Sequence, residues 1–505
     1  MLHNDTSHHA DPPRQADVGL PEVVGRQVSV SNEPQDRLAL ANGRFWRDHG
    51  RVSARFTLLA LTLVASGCLA VAGVGDYKVD DCFGGCSDGE ALDTSAKPDV
   101  VIPPHDASDS SASDVHAPLE AEADAPPLLS PGLSNIILSS AGMAVGRSVV
   151  ATLIARNNIG DQVARTGAVV RFTTTPLAQP PYSVVSIGAI TDMGDGTYEA
   201  LITGVTEGSR ITINATIDGA PLKAPPPSLR VVNRVNTGEG LTFELDADNA
   251  DNNGNPGNKT CTSTGLPIWI DLVNFKQGTL TGFASLCGSP SGWDGTGKLG
   301  HPGRLNDPPD PYHLTFDGDA DHVAFGAINS LQPSYTVLAW VRKTGPGTEA
   351  SSGPGGLPST FPIVAKGSPE AESENLDINY YLSITPAGRL ASDFETTPGS
   401  SNNPLVSSRE LDDNTWYMLG MTLDNFTRTL YINGIADTSA SNSATPASGA
   451  QSQLVIGGAN RSNGLPSGRF KGDVAVVLTY NRALTASEIR SNCLSYSYRF
   501  WMKCD

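Results

Sequence analysis

The chain has 505 residues, of which 39% are hydrophobic and only 17% charged, with 52 Gly and 36 Pro. A formal net charge of −19 argues against nucleic acid and anionic membrane patches as partners, since both need clustered Lys and Arg. That much Gly and Pro suits an all-β chain with many turns, and the length suits two or three domains.

Residues 1–50 are polar, carry His3, His8 and His9, and show no sustained periodicity. They are expected to be disordered, or to precede a true start near Val28 or Val52. Residues 51–68 read as a secretory signal. Arg44, Arg47, Arg51 and Arg55 precede the apolar run from Phe56 to Ala65, and Ser66-Gly67-Cys68 closes it. The run is too short for a bilayer span, which needs about 20 residues. The small residues before Cys68 resemble a bacterial lipobox, which implies lipidation at Cys68 and an envelope anchor. Ala65 departs from that family's usual Leu. The alternative is an ordinary signal peptide cut near Ala70 or Ala72 and a secreted protein. Leu69, in place of Asp, leans towards the outer membrane.

Seven cysteines stand at 68, 82, 86, 261, 287, 493 and 504. Setting Cys68 aside leaves three close pairs, Cys82–Cys86, Cys261–Cys287 and Cys493–Cys504. Proximity favours these among the ~15 pairings that six cysteines allow. Residues 69–130 hold the first pair and an acidic linker rich in Pro, Ser and Ala. From Asp99 to Pro127 it has acids but no Lys or Arg. Such a segment buries too little apolar surface to offset its ordering entropy and should stay extended.

Residues 131–232 show short β-branched runs separated by turn chemistry such as Asn157-Asn-Ile-Gly-Asp161 and Asp192-Met-Gly-Asp-Gly196. The Asp195-Gly-Thr-Tyr-Glu-Ala-Leu-Ile run resembles bacterial immunoglobulin-like domains of the filamin and invasin type, which implies a β-sandwich acting mostly as a spacer.

Residues 238–492 carry Leu241-Thr-Phe-Glu-Leu-Asp, Trp269-Ile-Asp-Leu, Leu314-Thr-Phe-Asp-Gly-Asp-Ala-Asp-His-Val323 and Tyr335-Thr-Val-Leu-Ala-Trp-Val-Arg342. Then follow Trp416-Tyr-Met-Leu-Gly-Met-Thr-Leu, Asn425 to Gly434, and Phe470-Lys-Gly-Asp-Val-Ala-Val-Val with Tyr480 to Ile489. In this order they resemble the laminin-G-like, concanavalin A-like jelly-roll family. The expected fold class is therefore all-β, an immunoglobulin-like sandwich followed by a jelly roll, with a cysteine-closed tail at 493–505.

The resemblance implies noncatalytic binding of an extracellular glycan or a surface protein. Adhesion through protein alone is the alternative, and the oligomeric state is open. Trp269, Trp340 and Trp416 sit in strand patterns and read as core. Trp293, in Ser-Gly-Trp-Asp-Gly-Thr-Gly, reads either as a packed loop or as a sugar-stacking platform. Asp317, Asp319 and Asp321 are the candidate calcium ligands, with Asp246 and Asp248 next, because calcium takes six to eight oxygens. Turn formation is the other reading of these residues. Glu244-Leu-Asp-Ala-Asp248 is similar to the Glu-x-Asp-x-Glu strand of laminarinase-type glucanases, and alternation puts its three carboxyls on one face. It ends in Asp and opens the domain, so glycoside hydrolysis is the least favoured reading. Other common catalytic motifs are missing.

Overall fold

The computed structural model describes residues 128–504, apart from 166, 236–238, 258–267, 286, 288–289, 305, 371–372, 374 and 442–443. Cys68, Cys82, Cys86, Cys261 and the acidic linker up to residue 127 lie outside the described residues.

A first pair of sheets forms a small sandwich. One sheet runs Asn135–Leu138, Ser148–Ile154, Thr197–Thr206, Val184–Ile187. The other runs Gly142–Ala144, Ser228–Val232, Ile211–Ile217, Val170–Pro176. Alternation drives this: in Ile211–Ile217 the isoleucines turn inward and meet Met143, Leu153, Ile202, Leu229 and Val231, all buried. The turns are built from the residues that mark them in the sequence. Asp192 Oδ1 accepts from the Gly194 amide at 2.9 Å, and Asp195 Oδ1 from the Thr197 amide at 2.9 Å.

Two eight-stranded antiparallel sheets follow and face each other as a jelly roll. The first runs Gly292–Asp294, His313–Asp317, Lys471–Tyr480, Tyr335–Lys343, Trp416–Asp424, Thr427–Ile432, Ile435–Ser441, and Leu241–Asp246 also pairs Lys471–Tyr480. The second runs Ile268–Ile270, Gln277–Thr281, His322–Ala324, Leu454–Ile456, Phe361–Lys366, Tyr380–Ile384, Arg389–Asp393, Leu405–Glu410. Phe243, Leu245, Trp269, Phe316, Val337 and Leu382 fill the space between them. The Asn433-Gly434 hairpin turn has φ of 51° and 83°, the doubly positive pair that a two-residue type I′ turn requires.

The segment from Tyr480 to Ile489 does not stay extended. A helix, Ala486–Phe500, begins there and crosses the expected boundary at 492. Its start is a capping box: the Glu488 amide donates to Thr485 Oγ1 at 3.3 Å, and the Thr485 amide to Glu488 Oε2 at 2.8 Å. The Cys493–Cys504 disulfide, Cα to Cα 5.8 Å, ties the helix to the chain that follows it. Cys287 is also disulfide-bonded; its expected partner, Cys261, is outside the described residues.

One helix face lays Ile489, Cys493, Tyr496 and Phe500 over the outer side of the first jelly-roll sheet, on Trp340, Trp416 and Met418. Another meets the small sandwich. A Cβ at Gly142 would collide with Leu494, and Ser497 Oγ lies 2.7 Å from Ser140 Oγ and donates to the Gly142 carbonyl at 3.0 Å. A second bridge comes from residues 295–311: Arg304 pairs with Asp195 at 3.3 Å, and His301 contacts Glu199. The small sandwich is therefore docked on the jelly roll rather than standing off from it.

Hydrogen bonds from Arg482 and Thr485 hold the Glu488 carboxyl down at about 2. A depressed carboxylate contributes stability above its unfolded value, near 4.5, that is lost as pH falls through about 2. Glu488→Gln should therefore lower the melting temperature at pH 7 and close most of that gap at pH 2. An equal gap at both would refute the assignment.

Candidate functional site

The central strands of both outer faces of the jelly roll are covered. The helix lies on the first sheet. On the second, Leu357 and Ala459 close over Ala365, Tyr381 and Ala391, and Thr360 Oγ1 sits 2.9 Å from the Tyr381 hydroxyl. What stays open on the second sheet is its rim.

There a recess of 310 Å3 is lined by Ser368, Gln451, Gln453, Asn460, Arg461 and Asn463, among others. Its groups are mostly uncharged amides and hydroxyls. They are preset: Asn460 Nδ2 donates to Gln453 Oε1 at 3.0 Å, Arg469 Nη2 donates to Asn460 Oδ1 at 3.0 Å, and the Ser462 amide donates to Glu370 Oε1 at 2.6 Å. Beneath the 449–452 turn, buried Lys366 donates to the carbonyls of Gly449 and Ser452, and burial lowers its ammonium to about 8.

Directly along the chain from Ser368, several oxygens close around Gly353. A Cβ at Gly353 would lie 2.7 Å from the Pro369 carbonyl, 2.8 Å from Asn402 Oδ1 and 3.2 Å from Glu395 Oε1. Glu395 Oε2 accepts from the Ile378 amide at 2.7 Å. Its neighbour Asp377 is fully buried, and Asp377 Oδ1 and Asn402 Oδ1 have no hydrogen-bond partner among the described residues. Buried acceptors left without donors are costly. Hard oxygens from carboxylates, amides and backbone are also the ligand set that calcium takes.

The calcium candidates read from sequence are arranged differently. Asp317 Oδ1 accepts from the Asp319 amide at 2.9 Å, and Asp321 Oδ2 from the Asp317 amide at 2.8 Å. Asp319 is exposed and Asp321 fully buried. Among the described residues no group of three or more His, Cys, Asp or Glu is placed to hold a metal. Asp317 and Asp321 accept from backbone amides as turn formers do, while Asp321 Oδ1 is buried with no hydrogen-bond partner among the described residues. Asp246 and Asp248 are taken by Arg499, at 2.8 and 2.9 Å.

Trp293 is also corrected. It is 2% exposed and packs edge-on against Trp269 with centroids 5.0 Å apart, so it offers no face to a sugar. Gly257 makes this possible, because a Cβ there would run into the indole. Trp269, Trp340 and Trp416 are buried.

The sequence reading missed Gln451, Gln453, Asn460, Arg461, Asp377, Glu395 and Asn402. The one signal near them is Gly353-Pro-Gly-Gly356, a run suited to a backbone that must come close to other groups.

Residues 317–490 match the family model described as the concanavalin A-like lectin/glucanases superfamily. The match takes in the rim and most of both sheets. No curated protein matches the chain. Among solved structures, the chain is similar to domain 4 of a GH43 extracellular arabinanase from Geobacillus stearothermophilus, at 20% identity. That match covers 51% of this chain and 98% of that one, with a TM-score of 0.31. The CBM40 of the Ruminococcus gnavus IT-sialidase matches at 13% identity over 35% and 94%, TM-score 0.28. Trypanosoma rangeli sialidase matches at 13% identity over 72% of this chain and 53% of its own, TM-score 0.34.

Burial pushes the Asp321 carboxyl up to about 6, against the hydrogen bond from the Asp317 amide. A raised carboxyl contributes stability that is full below about 3.8 and lost as pH rises through about 6. Asp321→Asn should thus gain on the parent between pH 4 and pH 7, by up to about 3 kcal/mol. Denaturant titrations at the two pH values check this; a difference that does not change with pH would contradict it.

Proposed function

We propose that this chain is a noncatalytic extracellular protein that binds carbohydrate at the rim of its second jelly-roll sheet. The observation that carries the reading is the 310 Å3 recess of preset amides, hydroxyls and one arginine. Sugar hydroxyls both donate and accept, and side-chain amides answer both roles at fixed positions. The superfamily's lectin members agree with this chemistry. Should calcium bind beside the recess, Glu395, Asn402 and the Pro369 carbonyl around Gly353 are the oxygens that would meet it. The ion would stiffen the loops beside the recess.

Hydrolysis is disfavoured by charge pairing. Arg234 contacts Glu244, and Arg499 pairs with both Asp246 and Asp248, so within the Glu244-Leu-Asp-Ala-Asp248 strand no two carboxyls stand as an unengaged acid and nucleophile.

A glycan array probed with the mature protein, with and without EDTA, tests the site. Arg461→Ala and Gln453→Ala should each weaken a captured glycan about tenfold, or roughly 1.4 kcal/mol. EDTA should weaken it further, and a reducing-sugar assay should stay at background. Binding that ignores both substitutions, or released reducing ends, would overturn the reading.

We also propose an envelope anchor, through lipid on Cys68 and the acidic tether after it. Intact mass of the membrane fraction should show a diacylated N-terminus at Cys68. An unmodified N-terminus beyond it, found in the medium, would favour a secreted binder instead.

A further inference from the structure

Where the small sandwich, the first jelly-roll strand and the C-terminal helix meet, a cavity of 780 Å3 opens. Its size falls within the ~300–1,000 Å3 usual for ligand sites, and domain seams are a common place for them. Arg147 enters from the small sandwich, Glu244 and Asp248 from the start of the jelly roll, Tyr312 from the loop above, and Tyr496 and Tyr498 from the helix. A second recess of 280 Å3 shares Arg147, Asp248, Tyr312 and Tyr498 with it and adds Arg499. No one domain contains the set.

Across the two recesses the charges balance. Glu244, Asp246 and Asp248 supply three carboxylates and Arg147, Arg234 and Arg499 three guanidiniums, while Lys298 of the second recess is paired with Asp307. Burial raises the pKa of Glu244 and of Asp248, and each carboxyl has an arginine against it. Arg234 Nη1 donates to the Tyr496 hydroxyl at 2.6 Å. Arg147 is exposed and lies over the Tyr498 ring, 5.9 Å from its centroid, with no ion-pair partner among the described residues. Arg499 is 3% exposed, and its Nε has no hydrogen-bond partner there either. Half-buried Tyr312 adds an aromatic wall.

We infer that this interdomain cavity is a second binding site, and that its ligand is a short neutral oligosaccharide. A charge-balanced set of charged donors and acceptors suits hydroxyls, through charge-assisted hydrogen bonds. The half-buried Tyr312 ring suits the apolar face of a pyranose. The ligand class rests on the carbohydrate reading made for the rim; the site does not.

The test is calorimetric titration of the full mature chain in an Arg461→Ala background, which weakens the rim site about tenfold. The probes are cellotriose, maltotriose, laminaritriose, xylotriose and mannotriose, with trigalacturonic acid as the charged control. At least one neutral trisaccharide should bind with a stoichiometry of one, and trigalacturonic acid at least tenfold more weakly. Adding Arg147→Glu, an exposed change checked by an unaltered melting temperature, should weaken binding at least tenfold. Preferential binding of the acid, or binding unaffected by Arg147→Glu, would overturn the proposal. Binding lost with Arg461→Ala alone would also overturn it, while leaving the rim reading intact. No binding of any probe to either form, together with an empty array, would remove both.

Discussion

A buried guanidinium needs its counter-charges, and Arg499 has them only in one arrangement of the chain. Its partner Asp246 lies 253 residues earlier, at the end of the first jelly-roll strand, and Asp248 follows in the next turn. Breaking such a buried pair by removing one partner costs about 3–5 kcal/mol. The pairing fixes the helix on the outer side of the first sheet. Once there, the helix has no freedom left: Trp340, Trp416 and Met418 take its apolar side, and Gly142 lets Leu494 approach the small sandwich. The disulfide from Cys493 to Cys504 restrains the unfolded chain over an 11-residue separation, worth roughly 2–4 kcal/mol. One ion-pair set therefore holds the helix against which the small sandwich packs, through Leu494 and Ser497.

Much of this was legible where the information is local. Alternation in Ile211–Ile217 and the Asn433-Gly434 turn give strands and a hairpin without knowledge of any partner. Alternation also placed the acids of Glu244-Leu-Asp-Ala-Asp248 together, though not the arginines that neutralise them, because those come from Arg234 and Arg499. The helix start is also legible: Thr485-Ala-Ser-Glu488 is a capping-box spelling, although the apolar strand Lys471–Tyr480 runs almost up to it. Trp293 shows the opposite limit. Its glycine-rich surroundings look open in sequence, and the group that closes on it, Gly257, leaves no mark except its lack of a side chain. The aspartates from 317 to 321 spell a metal loop, yet short Asp side chains reach their own backbone amides first.

Covered faces also decide where a jelly roll of this build can meet a ligand. A sheet face under a helix, or under a folded loop carrying Leu357 and Ala459, offers no groove. Recognition is displaced to the places where covering elements end. One is the rim, where uncharged amides dominate. The other is the seam, where the coverings were attached by charge. The seam is polar because the helix is held by arginines, and it is aromatic because the same helix turn carries Tyr496 and Tyr498. The groups that dock the small sandwich thereby become the walls of a cavity. A ligand seated there would touch both sandwiches and stabilise their docking by its own binding free energy. A spacer joined only by a flexible segment has no such coupling.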